Sequence, residues 1–159
     1  MNEQRTTQEE QKTGIHIVSD KACERCVLGT LMLNNQLYHE LIEVIDEDCF
    51  YDETCKNVWK GIVNVKESGL EIDTVSLGTY FAKQGKPEMI EAFITMTSEA
   101  SLVNAMRHAE RLNDLRIRRN MLVLAKMMET DAANEAVDIV SLITDSKDKF
   151  EKIMGKKTN

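Results

Sequence analysis

Residues 101–129, SLVNAMRHAERLNDLRIRRNMLVLAKMME, form one helical pattern that no proline or glycine interrupts. The first half of this stretch carries apolar residues at spacings of three or four: Leu102, Met106, Ala109 and Leu112. That spacing is the period of one face of an α-helix, and apolar residues continue with some drift to residue 128. The pattern therefore predicts a single long helix of about eight turns.

A second helical pattern follows the connector TDAANEA at residues 130–136. Its apolar positions are Val137, Val140, Ile143, Phe150 and Ile153. Two long helices joined by a short connector form an antiparallel hairpin. The sequence after residue 101 supplies no globular body to cover both faces of this hairpin. We therefore predict that an exposed apolar surface on the hairpin pairs with a second copy of the chain.

The predicted dimer interface lies in the second half of the long helix and along the helix that follows. It consists of Met121, Leu122, Leu124, Met128, Ile139, Leu142 and Phe150. The alternative is that these side chains pack only within the hairpin and against the rest of the chain. The sequence alone does not separate the two sets.

Five shorter helices are predicted before residue 101. Their starts are indicated by residues that favour the first turn of a helix, near Ser19 or Asp20, around Leu37, at Asp52, at Asp73 and near Pro87. With the hairpin, these segments predict an all-α fold, in which a small helical globule precedes a long antiparallel helical hairpin. The predicted organisation is a flexible polar arm (1–14), the globule (15–100), the dimerisation hairpin (101–154) and the start of a linker or tail (155–159). Ile15, Ile17 and Val18 are expected to hold the end of the arm on the domain.

The composition excludes several classes of protein. The 159 residues suffice for one domain, and a net charge of −7 argues against a chain that holds DNA by itself, since binding to phosphates needs surplus Lys and Arg. No stretch approaches the length of a membrane span, and the polar N-terminus does not resemble a signal peptide. We expect a cytoplasmic chain, without membrane contact, in which the four cysteines stay reduced.

Positive charge is concentrated on the first hairpin helix. Contacts to DNA or to a neighbouring subunit are predicted for Arg107, Arg111, Arg118 and Arg119. Arginines at helical spacing can follow a phosphate backbone. The overall acidity favours the other interpretation, in which these side chains form a solvated face or ion pairs between subunits.

The four cysteines, in the spacings Cys23-x-x-Cys26 and Cys49-x5-Cys55, could in principle hold zinc tetrahedrally. However, Cys23, Cys26 and Cys55 fall inside helical patterns, which favours ordinary buried thiols. We therefore predict no metal site, no catalytic residues and no cofactor in this chain. The phosphate-binding pattern Gly-x-x-x-x-Gly-Lys-Ser/Thr is absent from the sequence.

Four blocks follow one another in a fixed order: ERCVLGTLML (24–33), FYDETCKNVWKGI (50–62), GLEIDTVSLGTYF (69–81) and NAMRHAERLNDLRIRRN (104–120). In this order and spacing they resemble the N-terminal domain of the DnaB-type replicative DNA helicases, over roughly residues 20–153. The matching positions include Glu24, Val27, Leu28, Gly29, Phe50, Tyr51, Trp59, Gly69, Ile72, Asp73, Asn104, Ala109 and Arg119. The chain departs from the family's pattern at Cys55 (usually His), Glu71 (usually Pro) and His108 (usually Tyr).

The resemblance implies a domain whose hairpins pair into dimers, three of which build the collar of a hexamer. In that family the collar also receives the C-terminal domain of a DnaG-type primase. The implied function is that of an assembly and primase-interaction domain, which organises the hexamer and couples unwinding to priming. Such a domain would contact DNA only weakly or indirectly and would not hydrolyse ATP. A longer parent protein would be an ATP-dependent DNA helicase.

Two other functions stay open at this point. The first is a free-standing nucleic-acid-binding or helicase-regulating protein of mobile-element origin, which would use the arginine-rich helix to bind nucleic acid. The second is a zinc-dependent module built on the four cysteines.

Overall fold

A computed structural model of the chain describes residues 18–155. Within that range it contains seven α-helices, two short 3₁₀ segments (Asn35–Leu37 and Glu47–Cys49) and no β-strand. The α-helices are α1 (Lys21–Leu33), α2 (Tyr38–Leu41), α3 (Glu53–Glu67), α4 (Thr74–Lys83), α5 (Met89–Thr97), α6 (Ala105–Ala132) and α7 (Ile139–Met154). The predicted all-α fold is confirmed.

The chain divides into two compact units. The globular unit comprises Asp20–Asp114, and the hairpin unit comprises, of the residues described, 18–19 and 115–155. The boundary between the two units falls inside α6, whereas the sequence predicted that the hairpin begins at residue 101. The reason is that the first turns of α6 pack Ala109 and Leu112 into the core of the globular unit. The predicted arm (1–14) lies outside the described residues, as does all of the predicted tail beyond residue 155.

Aspartates define where three helices of the globular unit begin. The Asp20 carboxylate accepts a hydrogen bond from the Cys23 N–H (3.0 Å), and Asp52 accepts one from the Cys55 N–H (3.0 Å). Asp73 accepts from the Ser76 N–H (2.8 Å), while the Ser76 hydroxyl oxygen accepts from the Asp73 N–H (3.2 Å). These contacts satisfy backbone N–H groups that have no partner within the helix. The predicted caps at these three positions are therefore confirmed.

The core of the globular unit is built where α1 crosses α5. Val27, Leu28 and Leu31 are completely buried on α1, and Phe93 and Met96 are completely buried on α5. Between them Gly29 brings the two backbones into contact, because a Cβ atom at this position would overlap the carbonyl oxygen of Met96 and lie 2.6 Å from its carbonyl carbon. The glycine therefore permits a close approach of the two helices that any larger residue would prevent.

The hairpin unit is held by a narrow seam between α6 and α7. Leu124 from α6 and Leu142 and Ile153 from α7 are buried. The buried guanidinium of Arg116 donates from Nη2 to the backbone carbonyl of Ile153 (3.2 Å). Asp138 caps α7 by accepting from the Ser141 N–H (2.9 Å). The end of α6, predicted near Glu129, lies three residues further on at Ala132.

Replacing Gly29 by alanine is predicted to destabilise the chain by about 1–3 kcal/mol or more, because the neighbouring atoms belong to backbone and cannot turn aside. Gly78 in the middle of α4 is the matched control, since a Cβ atom added there would have Ile90 Cγ1 as its nearest neighbour, at 3.9 Å. Gly78→Ala is expected to be neutral or to stabilise by up to about 1 kcal/mol. Urea unfolding followed by circular dichroism measures both values. Equal effects of the two substitutions would contradict the proposed role of Gly29.

Candidate interaction surfaces

An apolar stripe runs along one side of the hairpin. On α7 the exposed side chains of Ile139, Ile143, Phe150 and Met154 follow one another at intervals of four, seven and four residues, which keeps them on one side of the helix. On α6 the exposed side chains of Met121 and Met128 lie seven residues apart, also on one side. These six side chains are 40–63% exposed.

Helix geometry places both rows on the same face of the hairpin. Two antiparallel helices contact each other along a shared seam. On each helix, residues displaced from this seam by up to about a quarter turn, counted in the same sense from the N- to the C-terminus, lie on the same face of the pair. Met121 and Met128 hold that position relative to the buried Leu124, and Ile143 and Phe150 hold it relative to the buried Leu142 and Ile153. We call these six side chains, Met121, Met128, Ile139, Ile143, Phe150 and Met154, the hairpin stripe.

The predicted dimer residues fall into three groups. Met121, Met128, Ile139 and Phe150 lie in the stripe. Leu124 and Leu142 are only 6% and 7% exposed, because they fill the seam of their own hairpin, and the expectation that they face a partner is corrected accordingly. Leu122 is exposed, but it follows Met121 and so points about 100° round the helix from it. Whether any of these residues contacts a second copy stays a prediction.

Sequence reasoning did not place Ile143 and Met154 in this surface. The spacing of Ile139 and Ile143, one helical turn apart, was the signal that could have identified Ile143. Met154 lies one turn beyond Phe150 and extends the same row. The position of the row relative to the seam decides its exposure, and that position is visible only in the structure.

Two of the four predicted arginines make contacts within their own units, and whether any of the four contacts DNA or another subunit stays a prediction. Arg111 donates from Nε to the Asp20 carboxylate (2.7 Å) inside the globular unit. Arg119 donates from Nη1 to the carbonyl of Val18 (2.8 Å) inside the hairpin unit. Arg107 and Arg118 are exposed on α6. Two of the four guanidinium groups therefore help to hold the chain together, which reduces the charge that this helix can offer to a nucleic acid.

The ion pair with Arg111 changes the acidity of Asp20. Partial burial raises the pKa of this carboxyl, but the hydrogen bonds from Arg111 and from the Cys23 N–H outweigh burial and hold the pKa below its usual value of 3.8. The ionised carboxylate therefore stabilises the folded chain, both as a helix cap and as the partner of Arg111.

All four cysteines are free, buried thiols. Burial raises the pKa of Cys23 from its ordinary 9.0 to about 12, and burial also raises the pKa of Cys55. The Cys23 thiol donates to the backbone carbonyl of His108 (3.3 Å). Among residues 18–155, no group of three or more His, Cys, Asp or Glu side chains is arranged to hold a metal ion. This arrangement is typical of thiols that fill a core.

Nor does any helix in the described part of the chain combine the length and apolar character that crossing a membrane requires.

The fold and its surfaces define the class of this protein as an all-helical domain. It consists of a globular unit and a helical hairpin unit with an exposed apolar stripe. The family model described as the DnaB-like helicase N terminal domain matches residues 18–114. The chain belongs to this family of DnaB-like helicase N-terminal domains, and the resemblance seen in the sequence is confirmed.

Similar proteins agree with this assignment. Proteins named replicative DNA helicase DnaB from Rickettsia conorii and Rickettsia felis are 22% and 23% identical over 127 residues, and one from Rickettsia bellii is 21% identical over 144 residues. These matches cover 76%, 76% and 87% of this chain. The chain spans only 25–28% of the length of these relatives.

A solved structure shows the same fold. The crystal structure of the N-terminal domain of DnaB helicase from Mycobacterium tuberculosis superposes with a TM-score of 0.78 at 17% sequence identity. The match covers 86% of this chain and 99% of that one. The helical globule and hairpin thus form the fold of this N-terminal domain.

Asp20→Ala is predicted to lower the free energy of unfolding by about 1 kcal/mol at pH 7, the usual contribution of a helix cap. Because the folded pKa of Asp20 lies below the unfolded value, its contribution is present above about pH 4 and is lost as the pH falls through the folded pKa. The difference between the two chains should therefore shrink below about pH 4. Urea unfolding at several pH values measures the difference in free energy of unfolding between the unsubstituted chain and Asp20→Ala. The control is Glu110→Ala on the exposed side of α6, for which an equal pH-dependent loss would contradict the assignment.

The thiols of the folded chain are predicted to resist alkylation. A rise in pKa from 9.0 to about 12 lowers the thiolate fraction of Cys23 at pH 8 by about a thousandfold, and burial also blocks access to the sulfur. Mass spectrometry after iodoacetamide treatment should show an unmodified folded chain and a fully modified chain in urea. Rapid modification of Cys23 in the folded chain would contradict the prediction.

Proposed function

We propose that this chain is the N-terminal assembly and primase-interaction domain of a replicative DNA helicase. Membership of the family and the fold support this proposal, and the hairpin stripe is the single observation that carries it. In this proposal the domain organises a hexameric helicase and contributes no ATP hydrolysis of its own.

The hairpin stripe has the properties of a pairing surface. Six apolar side chains, each 40–63% exposed, lie along α6 and α7, and a continuous uncovered apolar surface is unfavourable in water. Two copies related by a twofold axis would cover each other's stripe with the same surface. Such pairing would bury on the order of 1,000–2,000 Å² in total, which is enough for a specific interface.

Charge is compatible with this pairing. On α7 the exposed residues Lys147 and Glu151 lie next to the stripe around the helix and carry opposite charges. A rim of mixed charge around an apolar centre is typical of protein–protein interfaces. Three such dimers would form the collar of the proposed hexamer.

The primase is the second proposed partner. Its C-terminal domain would bind to the assembled collar, so that unwinding and priming take place together. The support for this part is family membership, and the structure contributes the fold on which such a partner would bind. DNA binding by the chain alone is less favoured, since the net charge is −7 and Arg111 and Arg119 hold groups within their own units.

The assembly proposal predicts that Ile143→Ser together with Phe150→Ser weakens self-association by about 100-fold or more, because each buried apolar side chain contributes about 1.5–3 kcal/mol. Val75→Ser is the matched control, since Val75 is a 75% exposed aliphatic residue on α4, outside the hairpin. Sedimentation equilibrium measures the dissociation constants, and circular dichroism verifies that each variant is folded. Unchanged association in the double variant, or equal loss in the control, would exclude the stripe as the interface.

The primase proposal is tested by calorimetric titration of the chain with the C-terminal domain of the primase from the same genome. Saturating heats at a defined stoichiometry are expected. If two folded partners give no heat, primase binding is removed from the proposed function and assembly of the ring remains.

A further inference from the structure

The hairpin has a second surface, on the side opposite the hairpin stripe. A groove of about 330 Å³ runs between α6 and α7, with an apolar floor and a basic border formed by Val123, Met127, Ile153, Lys149 and Lys152. Around α6, Met121 of the stripe lies about 60° to one side of the seam residue Leu124, and Met127 lies about 60° to the other side. Pairing through the stripe would therefore leave this groove uncovered.

The two lysines at the border of the groove have no carboxylate partner. Lys149 Nζ lies 2.9 Å from the sulfur of Met127, and a thioether is only a weak hydrogen-bond acceptor. Asp145 and Asp148 each lie four residues before one of these lysines, a spacing at which ion pairs form along a helix. Within residues 18–155, however, neither Lys149 nor Lys152 is paired with a carboxylate. Both ammonium groups are therefore available to an external acceptor.

The apolar floor between these lysines is open to solvent. Val123 is 70% exposed, Met127 is partly exposed, and the buried Ile153 closes the groove from below. Covering the floor removes apolar surface from water, and a carboxylate beside each ammonium forms a charge-assisted hydrogen bond. The surface is thus complementary to a segment that combines apolar side chains with flanking carboxylates.

We propose that this groove binds an acidic amphipathic helix of a partner protein, with its apolar side chains on Val123 and Met127 and its carboxylates at Lys149 and Lys152. A helix pairs its own backbone N–H and C=O groups, whereas an extended segment would turn some of them toward an apolar floor that offers no partners. Along α6 the groove extends from Asn120 to Met127, which is about 10 Å or two turns of helix. The partner helix therefore places apolar residues at positions i, i+3 or i+4, and i+7.

The same features favour an acidic helix over a nucleic acid. A phosphate backbone would use the two lysines but would leave the apolar floor in water. The net charge of −7 also opposes a long polyanion. A short acidic helix is affected mainly by charges within about 8–10 Å at physiological salt, because more distant charges are screened.

The proposal is tested on the full chain by fluorescence anisotropy with three labelled synthetic peptides of about 16 residues, long enough to be partly helical alone. The first carries leucines at i, i+3, i+7 and i+10 with glutamates on both flanks of the leucine row. The second has lysines in place of the glutamates, and the third has serines in place of the leucines. We expect saturable binding of the glutamate–leucine peptide, at least about tenfold tighter than that of either other peptide.

Charge reversal in the groove tests the role of the lysines. Lys149→Glu together with Lys152→Glu should weaken binding of the glutamate–leucine peptide by about tenfold or more and strengthen binding of the lysine peptide, because attraction becomes repulsion. The matched control is Lys126→Glu with Lys147→Glu, which changes the net charge equally on the same two helices outside the groove. Circular dichroism verifies that each variant is folded.

A second pair of variants tests the apolar floor. Val123→Ser should weaken binding of the glutamate–leucine peptide by about fivefold or more. Val140→Ser is the control, since Val140 is a 67% exposed valine on α7 outside the groove, and it should leave the affinity unchanged.

Four results would overturn the proposal: no binding of the glutamate–leucine peptide, equal losses in the groove variants and their controls, tighter binding of a single-stranded oligonucleotide of the same charge, or weaker self-association of the groove variants in sedimentation equilibrium. The last result would show that a second copy of the chain occupies the groove. Ile143→Ser with Phe150→Ser should bind the peptide like the unsubstituted chain, because the stripe lies on the other side of the hairpin. Failure of the groove proposal is therefore distinguishable from failure of the assembly proposal.

Discussion

The fold depends on the close approach of α1 and α5 at Gly29. Because Gly29 has no side chain, the backbone of α1 reaches that of α5 at Met96, and the large side chains on either side of the contact interlock. Two polar links act beside this contact: Arg25 binds both carboxylate oxygens of Glu99 (2.9 and 3.1 Å), and Thr30 accepts from the Ser101 N–H (2.9 Å). The segment after α5 is thereby fixed on α1, and this segment leads directly into α6.

The start of α6 is therefore determined by the globular unit and not by the hairpin. Ala109 and Leu112 are buried in the core that α1 and α5 form, while Arg111, one position before Leu112, turns outward to bind Asp20 at the beginning of α1. One helix thus supplies a wall of the globular core with its first turns and one half of the hairpin with its later turns. A mutation at the crossing of α1 and α5 acts on the residues that begin α6.

The sequence could predict the features that depend on near neighbours. Asp20, Asp52 and Asp73 cap helices through bonds to residues two or three positions away, so their roles follow from local chemistry. It could not predict which leucines of the hairpin face inward. Leu122 and Leu124 are two residues apart with similar surroundings in the sequence, yet one is 39% and the other 6% exposed. That difference depends on how α6 is rotated against α7, which the drifting apolar pattern of α6 does not specify.

The same rotation gives the hairpin two surfaces of different character. The stripe side carries apolar side chains in rows on both helices, and a surface that is the same on two copies can cover itself. The groove side is concave, with Lys149 and Lys152 at its border and a small apolar floor, so a second hairpin would fill it poorly. The hairpin unit buries few large apolar side chains of its own, among them Leu115, Leu124, Leu142 and Ile153, so covering the stripe would remove further apolar surface from water.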